Sequence, residues 1–439
     1  MGETIDNIIS LAAAKGDGWA HRLDRNKEQI VLPTQANVLR LFAHDPMLKG
    51  LLAYNAFTAE PLIMRAPPVA DDEEPELPGP YPRPWGGADV AMVHAYFQRV
   101  WTARITATTV EAGMLTEATL RQYHPIVDWL RDLRWDGTKR LDNWLVNAFD
   151  CDPTAFNRAA GAKMLIAAVR RVIHPGCKFD QMMVLEGSQG IGKSRALRIL
   201  FSDPWFSDAI PADLASKDAA MALLGVWCLE FAEIEHLIRA EVETIKAFLS
   251  RSVDRYRPPY GKSYIERPRQ GVLIGTTNSD DYLRDASGNR RIWPVRCKTA
   301  DPDWIRVNRD QLWAEAVVRE ASGEPIWLED SDVRAEASQA QSERMATDPW
   351  GESIANFIRG KSYVLIPAIL GEALSIPKDR WTPGTERRVG SVLRQAGWTK
   401  KRERLSGALA MVWRPTDKAP NGHHGPCVHH EKNDEVVPF

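Results

Sequence analysis

The stretch Gly187-Ser-Gln-Gly-Ile-Gly-Lys-Ser194 decides the fold of this chain. It matches the phosphate-binding pattern G-x-x-x-x-G-K-S/T, follows the strand-forming run MMVLE (182–186) and leads into the helix-forming run SRALRILF (194–201). Glycines let the backbone curl so that its N–H groups face phosphates at the start of a helix. In this context the pattern predicts an α/β nucleotide-binding domain rather than a glycine turn that caps a strand.

The eight residues of this loop are the predicted binding site for ATP and Mg²⁺. The pattern needs a lysine because its ammonium group reaches the β- and γ-phosphates, and a final serine because its hydroxyl ligates Mg²⁺. Lys193 and Ser194 hold these positions. The other six residues are expected to surround the phosphates: Gly187, Ser188, Gln189, Gly190, Ile191 and Gly192.

A second, acidic strand is expected in such a domain, because Mg²⁺ and the attacking water must both be held. The run Val226-Trp-Cys-Leu-Glu-Phe-Ala-Glu233 supplies apolar residues that end in two glutamates. We assign Glu230 to the metal and Glu233 to the water, although either glutamate suits either role. The alternative is that both are ordinary surface carboxylates.

A polar residue and two arginines follow the acidic strand in the sequence. The apolar run Gly271-Val-Leu-Ile-Gly-Thr-Thr-Asn278 predicts a strand that places Asn278 beside the γ-phosphate as a sensor; a strand followed by a plain turn is the alternative. Arg290 and Arg291 lie on a loop before the next strand-forming run. A guanidinium fork suits phosphate charge, so both are arginine-finger candidates, whereas isolated arginines are more often solvated. Of the two, Arg291 is the expected finger and Arg290 the alternative.

The composition limits the remaining possibilities. At 439 residues the chain is expected to form about three domains. Its formal net charge of -2 gives no whole-molecule attraction to DNA or to an anionic membrane, so any nucleic-acid surface must be local. No apolar run is long enough for a bilayer and no basic-then-apolar leader is present, which predicts a cytoplasmic protein of a bacterial host cell with no membrane partner. Five widely spaced cysteines predict reduced thiols and no zinc site.

Composition also changes along the chain. Proline, acidic residues and glycine between 66 and 87 block helix and strand alike, which indicates a linker. From 151 onward helices alternate with short strand-forming runs, which is typical of an α/β sheet. The predicted segments are a small N-terminal region (1–65), the linker (66–87), a helical domain (88–150), a P-loop ATPase domain (151–300), a helical connector (301–345), a winged-helix domain (346–416) and a disordered tail (417–439).

The block 346–416 has three helix-forming runs followed by two strand-forming runs, the element order of a winged helix-turn-helix. Basic residues concentrate there on a near-neutral chain. We therefore expect its third helix to enter a major groove of origin duplex DNA while the wing contacts phosphates; a winged helix that binds protein is the alternative. The candidate DNA contacts are Arg387, Arg388, Arg394, Lys400 and Lys401.

Several motifs, in this order and spacing, resemble the virulence-associated protein E family of phage and mobile-element ATPases: LEGSQGIGKS, WCLEFAEIE, IKAFLSRSVDRYRPPYGKSYIERPRQ, LIGTTN and GNRRIWPVR. The resemblance extends over residues 85–300 and includes HPIVDWLRDLRWDGTKRLDNWL. That family is similar to superfamily 3 helicases and to the helicase half of phage primase-helicases. The resemblance implies an AAA+-like ring ATPase, a homo-oligomer that we expect to be a hexamer, with nucleotide between subunits and single-stranded DNA in its channel.

Between the acidic strand and the sensor, strand-forming residues on both sides of a Gly-Lys turn predict a hairpin with a basic tip. The resemblance implies that this hairpin projects into the channel, where a lysine holds a phosphate and a tyrosine stacks on a base. A surface hairpin with solvated charges is the alternative. The candidate contacts are Arg255, Arg257, Tyr260 and Lys262. The resemblance also assigns Lys193 and Ser194 to the Walker A pair, Glu230 and Glu233 to the acidic strand, Asn278 to the sensor, and Arg290 or Arg291 to the finger.

Two functional interpretations follow. The first is an ATP-dependent DNA helicase that initiates replication of a phage, prophage or satellite element. A separate primase is then an expected partner, because the region before residue 85 is short and lacks a clustered acidic metal site. The second is a P-loop ATPase that remodels or regulates a partner without unwinding DNA. Both use the same ATP site, and stimulation of ATP turnover by single-stranded DNA distinguishes them.

Overall fold

The computed structural model describes residues 18–69, 77–257, 263–283, 289–345, 348–405 and 408–416, without the side chains of 236–243 and 408. The chain divides into two compact units. The first takes the described residues of 18–279 and 290–339, and the second takes those of 280–289 and 340–416, so that the division falls within the helix Ser331–Glu343. In this described part of the chain, no helix is both long enough and apolar enough to cross a bilayer.

The first unit begins with a small layer of helices and strands. Its elements are α1 (Gln35–His44), β1 (Leu52–Asn55), β2 (Glu60–Ile63), β3 (Arg83–Pro84), α2 (Gly87–Tyr96), α3 (Ala107–Leu120) and β4 (Gln122–Tyr123). The strands form one sheet in the order β3-β2-β1-β4. Strands β1 and β2 are antiparallel, whereas β4 pairs parallel with β1, so a segment that follows α3 completes a sheet begun before α2.

This layer differs from the predicted division at residues 66–87. One buried core takes residues from both sides of that segment, from Trp19 to Ala118. Strand β3 lies inside the predicted linker and pairs with β2. Its one proline, Pro84, is tolerated because β3 is an edge strand, where a missing N–H donor breaks no ladder. The predicted helical domain is therefore not separate: its first part shares a core with the predicted N-terminal region.

The rest of the first unit is a larger α/β layer. Its elements are α4 (Pro125–Asp132), α5 (Trp144–Phe149), α6 (Ala155–Ile173), β5 (Met182–Glu186), α7 (Lys193–Phe201), β6 (Phe206–Ser207), α8 (Lys217–Met221), β7 (Cys228–Phe231), α9 (Ile234–Ser250), β8 (Val253–Tyr256), β9 (Ile265–Pro268), β10 (Val272–Thr277), β11 (Ile292–Arg296), α10 (Pro302–Ala321) and α11 (Ser331–Glu343).

Five of these strands form a sheet in the order β11-β5-β10-β7-β6, and every neighbouring pair is parallel. Strands β5, β7 and β10 are buried along their whole length, which explains why their sequences are mainly apolar. The predicted α/β fold with a parallel sheet is thus confirmed. Because the strands are parallel, the loops that follow β5, β7 and β10 meet at one edge of the sheet.

The second unit contains a helical cluster and a hairpin. Its elements include α12 (Gly351–Ile358), α13 (Ile366–Ala368), α14 (Pro383–Gln395), β12 (Trp398–Leu405) and β13 (Ala408–Pro415). Ile354, Val389 and Trp413 belong to one buried core that joins the helices to the hairpin. Val364 also pairs with Trp413 in an antiparallel bridge, which fixes the base of the hairpin.

Candidate nucleotide-binding site

The loop after β5 turns sharply and begins α7 at Lys193. Gly192 has a φ of 101°, a left-handed conformation that strains any residue with a side chain. A Cβ atom on Gly187 would lie 2.5 Å from the Cys297 carbonyl oxygen, so this position requires glycine. Both glycines are therefore needed for the path that brings the loop to the start of a helix, where backbone N–H groups bind phosphate.

Lys193 lies across this loop. Its Nζ donates to the carbonyl oxygens of Gly187 at 2.7 Å and Ser188 at 3.1 Å. Burial lowers the pKa of the Lys193 ammonium group, and nearby acidic groups oppose that effect. Neutral carbonyls are weaker partners for an ammonium than a charged phosphate oxygen is. The lysine is thus held in the loop by contacts that a phosphate can replace.

Glu230 lies on β7 and is fully buried. Its Oε1 accepts hydrogen bonds from Ser194 Oγ at 2.7 Å and from Thr276 Oγ1 at 2.7 Å. Its Oε2 is also buried and accepts no hydrogen bond from any described residue. A buried carboxylate with an open oxygen beside a serine hydroxyl matches the oxygen ligands that Mg²⁺ prefers.

An open pocket of about 290 Å³ lies at this edge of the sheet. It is lined by residues 189–195, 232–233 and 276–278, which come from the loop after β5 and the start of α7, from the residues that follow β7, and from the end of β10. Glu233 is exposed there, with φ 50° and ψ 47°, a left-handed conformation that is uncommon for a residue other than glycine. Asn278 is exposed on the same pocket. The structure therefore brings the loop, Glu233 and Asn278 together.

Three further buried residues of this site were not predicted. Thr276 holds Glu230, as described above, and Thr277 Oγ1 donates to Glu235 Oε2 at 2.6 Å. The sequence offers only a weak signal for them, namely two threonines before Asn278 and a third glutamate in EFAEIE. Which hydroxyl meets which carboxylate depends on the sheet register, in which Ile274 of β10 pairs with Glu230 of β7.

The two finger candidates lie at the opposite end of the sheet from the loop. Both precede β11, whose register pairs Ile292 with Met182 and Arg296 with Glu186. Arg291 Nε donates to Asp180 Oδ2 at 3.1 Å, and both side chains are largely buried. Arg290 is exposed and has no hydrogen-bond or ion-pair partner within the described residues. Neither arginine lines the pocket of its own chain.

The predicted hairpin between β7 and β10 is present as the antiparallel pair β8 and β9. A buried ion pair fixes its base, with Arg269 Nε 2.6 Å from Asp254 Oδ2. Arg255 and Arg257 are exposed, and the Arg255 guanidinium lies 5.6 Å from the centre of the Tyr264 ring, which is 67% exposed. The other two predicted contacts, Tyr260 and Lys262, lie outside the described residues. Tyr264 is therefore an exposed aromatic candidate that the prediction did not include.

The basic residues of the second unit differ in what holds them. Arg388 is bound to Asp348, with Nε 2.8 Å from Oδ2, and lies 3.8 Å from the centre of the Trp350 ring. Arg387 Nε donates to the Pro383 carbonyl oxygen at 3.0 Å, and the Arg394 guanidinium lies 5.7 Å from the centre of the Trp413 ring. Lys400 and Lys401 are exposed on successive positions of β12.

Comparison with known proteins gives a family match for the central part of the chain. The model of the virulence-associated protein E-like domain matches residues 130–346. Two apo structures of the NrS-1 C-terminal region (305–718) are distantly similar: one has 11% identity and a TM-score of 0.42, covering 88% of this chain and 100% of that one. The other has 11% identity and a TM-score of 0.44, covering 83% and 95%. A search of curated proteins gave no match.

Proposed function

We propose that the chain, whose residues 130–346 match the model of the virulence-associated protein E-like domain, is a Mg²⁺-dependent ATPase that moves along single-stranded DNA. In this proposal it acts as a helicase and replication initiator of a phage, prophage or satellite element. The observation that carries the proposal is the contact between Ser194 of the phosphate-binding loop and Glu230 of the acidic strand. The DNA-binding roles build on that site.

Mg²⁺ fits the residues present. Glu230 Oε2 is a buried oxygen without a partner among the described residues, and Ser194 Oγ is bound to the other oxygen of the same carboxylate. Mg²⁺ is usually held by one or two such protein oxygens together with substrate phosphates. Ser194 and Glu230 would hold the ion, which neutralises charge on the β- and γ-phosphates when bound.

The remaining roles follow from position. Lys193 exchanges its loop carbonyls for phosphate oxygens and contributes positive charge. Glu233 is the exposed carboxylate of the pocket, so it accepts the proton of the attacking water, while Asn278 orients that water or the γ-phosphate. The left-handed backbone at Glu233 supports this role, because such strain concentrates at functional sites.

The sheet order supports the AAA+-like, superfamily 3 assignment, because β10 separates the loop strand β5 from the acidic strand β7. In a ring of such subunits, expected to be a hexamer, a site is completed by a neighbour. The arginines before β11 lie a whole strand away from their own loop, so a finger from this position acts on the next subunit. We favour Arg290 over Arg291, since Arg291 is already bound to Asp180.

The DNA contacts are assigned to two surfaces. The exposed arginines of the β8–β9 hairpin, Arg255 and Arg257, suit the phosphates of a single strand, and Tyr264 beside Arg255 offers a ring for a base. The helices and hairpin of the second unit have the element order of a winged helix, which we propose binds origin duplex DNA.

ATP hydrolysis by the purified chain tests the proposal. Turnover should require Mg²⁺ and should rise when oligo(dT) is added. Ser194→Ala and Glu230→Gln should each raise the Mg²⁺ concentration needed for half-maximal turnover, by about 10- to 100-fold as for other metal-site changes. Absence of turnover under all conditions would reject the ATPase. If the rate of ATP turnover does not change when single-stranded DNA is added, the alternative function is favoured, an ATPase that remodels or regulates a partner without unwinding DNA.

A further inference from the structure

The start of α9 is fastened to the end of β10 at two successive residues. Ile234 is fully buried and covers Gly275, where an added Cβ atom would lie 3.0 Å from Ile234 Cδ1. Glu235 follows it and accepts the 2.6 Å hydrogen bond from Thr277 Oγ1. Both members of the second contact are almost completely buried. Positions 275 and 277 of one strand thus hold positions 234 and 235 of one helix.

Glu233 and Asn278, which line the pocket, are adjacent in sequence to these contacts. Glu233 immediately precedes Ile234 and is the N-cap of α9. Asn278 immediately follows Thr277, and Thr277 Oγ1 also accepts a hydrogen bond from the Ser279 backbone N–H at 3.0 Å. The Thr277 hydroxyl therefore bridges the turn that carries Asn278 and connects it to the helix that carries Glu233.

We propose that Glu235 and Thr277 form a positioning clamp, which fixes the water-activating Glu233 and the sensor Asn278 relative to each other. The proposal rests on the proposed ATP hydrolysis and deepens it. Neither Glu235 nor Thr277 is assigned contact with the reacting atoms. In the proposed hydrolysis of ATP, Glu233 and Asn278 must together align the attacking water. A displacement of about 1 Å can slow such a reaction by about a hundredfold, so the relative position of these two residues matters.

The geometry gives each partner of the clamp a distinct requirement. Thr277 must keep its hydroxyl, which donates to the carboxylate and accepts from the turn. Glu235 must keep an acceptor oxygen, which a glutamine retains and an alanine lacks. In this proposal Glu235 positions the site through its hydrogen bond with Thr277, whereas the Thr277 hydroxyl also holds the turn. Once the hydroxyl is removed, the further loss of Glu235 should therefore cost little more.

The test uses the full chain with Thr277→Val, Thr277→Ser, Glu235→Ala, Glu235→Gln and the double variant Glu235→Ala/Thr277→Val. Thr277→Val and Glu235→Ala should lower kcat by about 10- to 100-fold while KM for ATP stays within about threefold of the wild type. Thr277→Ser should restore most of kcat, and Glu235→Gln a part of it. The double variant should match the worse single variant.

A second readout does not depend on turnover. Binding of ATPγS and ADP, measured by calorimetry, reports whether the γ-phosphate is sensed, and the ratio of the two Kd values should fall towards one in Thr277→Val but not in Thr277→Ser. A purely structural role would lower the unfolding midpoint without changing that ratio. The clamp would be overturned if Thr277→Val kept the wild-type kcat and the wild-type ratio of Kd values for ATPγS and ADP. It would also be overturned if the losses in kcat of the two single variants added up in the double variant. A wild-type chain that binds neither nucleotide would instead reject the proposed function.

Discussion

The nucleotide site and the second unit hold their charged residues in different ways. At the nucleotide site Glu230 and Glu235 are buried and each accepts a short hydrogen bond from a threonine hydroxyl. On β12 of the second unit the cations Lys400, Lys401, Arg402 and Arg404 are exposed, and their side chains form no hydrogen bond or ion pair within the part of the chain that the structure describes. Buried charge must be paired because its desolvation is expensive, whereas exposed charge can stay available for a ligand. The proposed catalytic site and the proposed DNA-binding surface therefore differ in the burial and the pairing of their charged residues.

The largest expected effect lies at the buried site. Lys193→Ala should abolish measurable ATP turnover, a loss of at least about a thousandfold, because the ammonium group supplies charge to the phosphates. The fold should remain intact, since within the described residues the ammonium group donates hydrogen bonds only to loop carbonyls. Phosphate release and the thermal unfolding midpoint measure the two effects. If this variant hydrolyses ATP at the wild-type rate, residues 187–194 are not the phosphate-binding loop.

The second-largest effect is expected at the arginine finger, where exposed Arg290 can be compared with Arg291, which forms an ion pair with Asp180. Arg290→Ala should slow turnover by about a thousandfold or more while nucleotide affinity is kept, as expected for a lost finger. Arg291→Ala should lower stability by about 1 kcal/mol, because it removes the nearer of the two cations beside Asp180, and should change turnover less. Rates, nucleotide affinities and unfolding midpoints of the two variants decide between them.

Subunit mixing checks whether the finger acts across a boundary. Arg290→Ala mixed with Lys193→Ala should regain activity, because some interfaces then combine an intact loop with an intact finger. If mixtures of exchanging subunits show only the sum of the separate activities, the trans-acting site is wrong. If Arg291→Ala behaves as the finger loss instead, the ion pair with Asp180 must open in the assembled ring.

These contrasts explain what could be predicted from sequence. The loop 187–194 is a contiguous pattern whose strand and helix context is visible locally, so its position between β5 and α7 could be anticipated. The Thr277–Glu235 contact joins residues 42 positions apart, and the Arg291–Asp180 pair joins residues 111 positions apart. Such contacts depend on strand register and strand order, which no local pattern specifies. The N-terminal layer was divided wrongly for the same reason, because β4 returns to pair with β1.

A moderate effect is expected on the β8–β9 hairpin. Tyr264→Ala should weaken oligo(dT) binding by about 5- to 100-fold, since stacking of one base on an aromatic ring contributes roughly 1–3 kcal/mol. Tyr264→Phe should keep the affinity, because stacking needs the ring and not the hydroxyl. Fluorescence anisotropy of a labelled oligonucleotide measures both variants.

A matched control exists in the second unit. Tyr363 is 41% exposed and lies 5.7 Å from the Arg414 guanidinium, but that arginine is bound to Glu403 at 2.7 Å. Tyr363→Ala should therefore leave oligo(dT) affinity unchanged. If Tyr264→Ala and Tyr363→Ala lower the affinity for oligo(dT) equally, the β8–β9 hairpin is not a specific binding site for single-stranded DNA.

The smallest effect concerns single phosphate contacts on β12. Successive residues of a strand face opposite sides, so Lys400 shares a face with Arg402 and Arg404, while Lys401 shares the other with Glu403. A polyanion should meet the face without the acid. Lys400→Ala should reduce the slope of log affinity against log salt for duplex DNA by about one, and Lys401→Ala should leave it unchanged. A reduced slope in Lys401→Ala alone would assign the DNA to the opposite face of the hairpin, and unchanged slopes in both would remove β12 from the DNA interface.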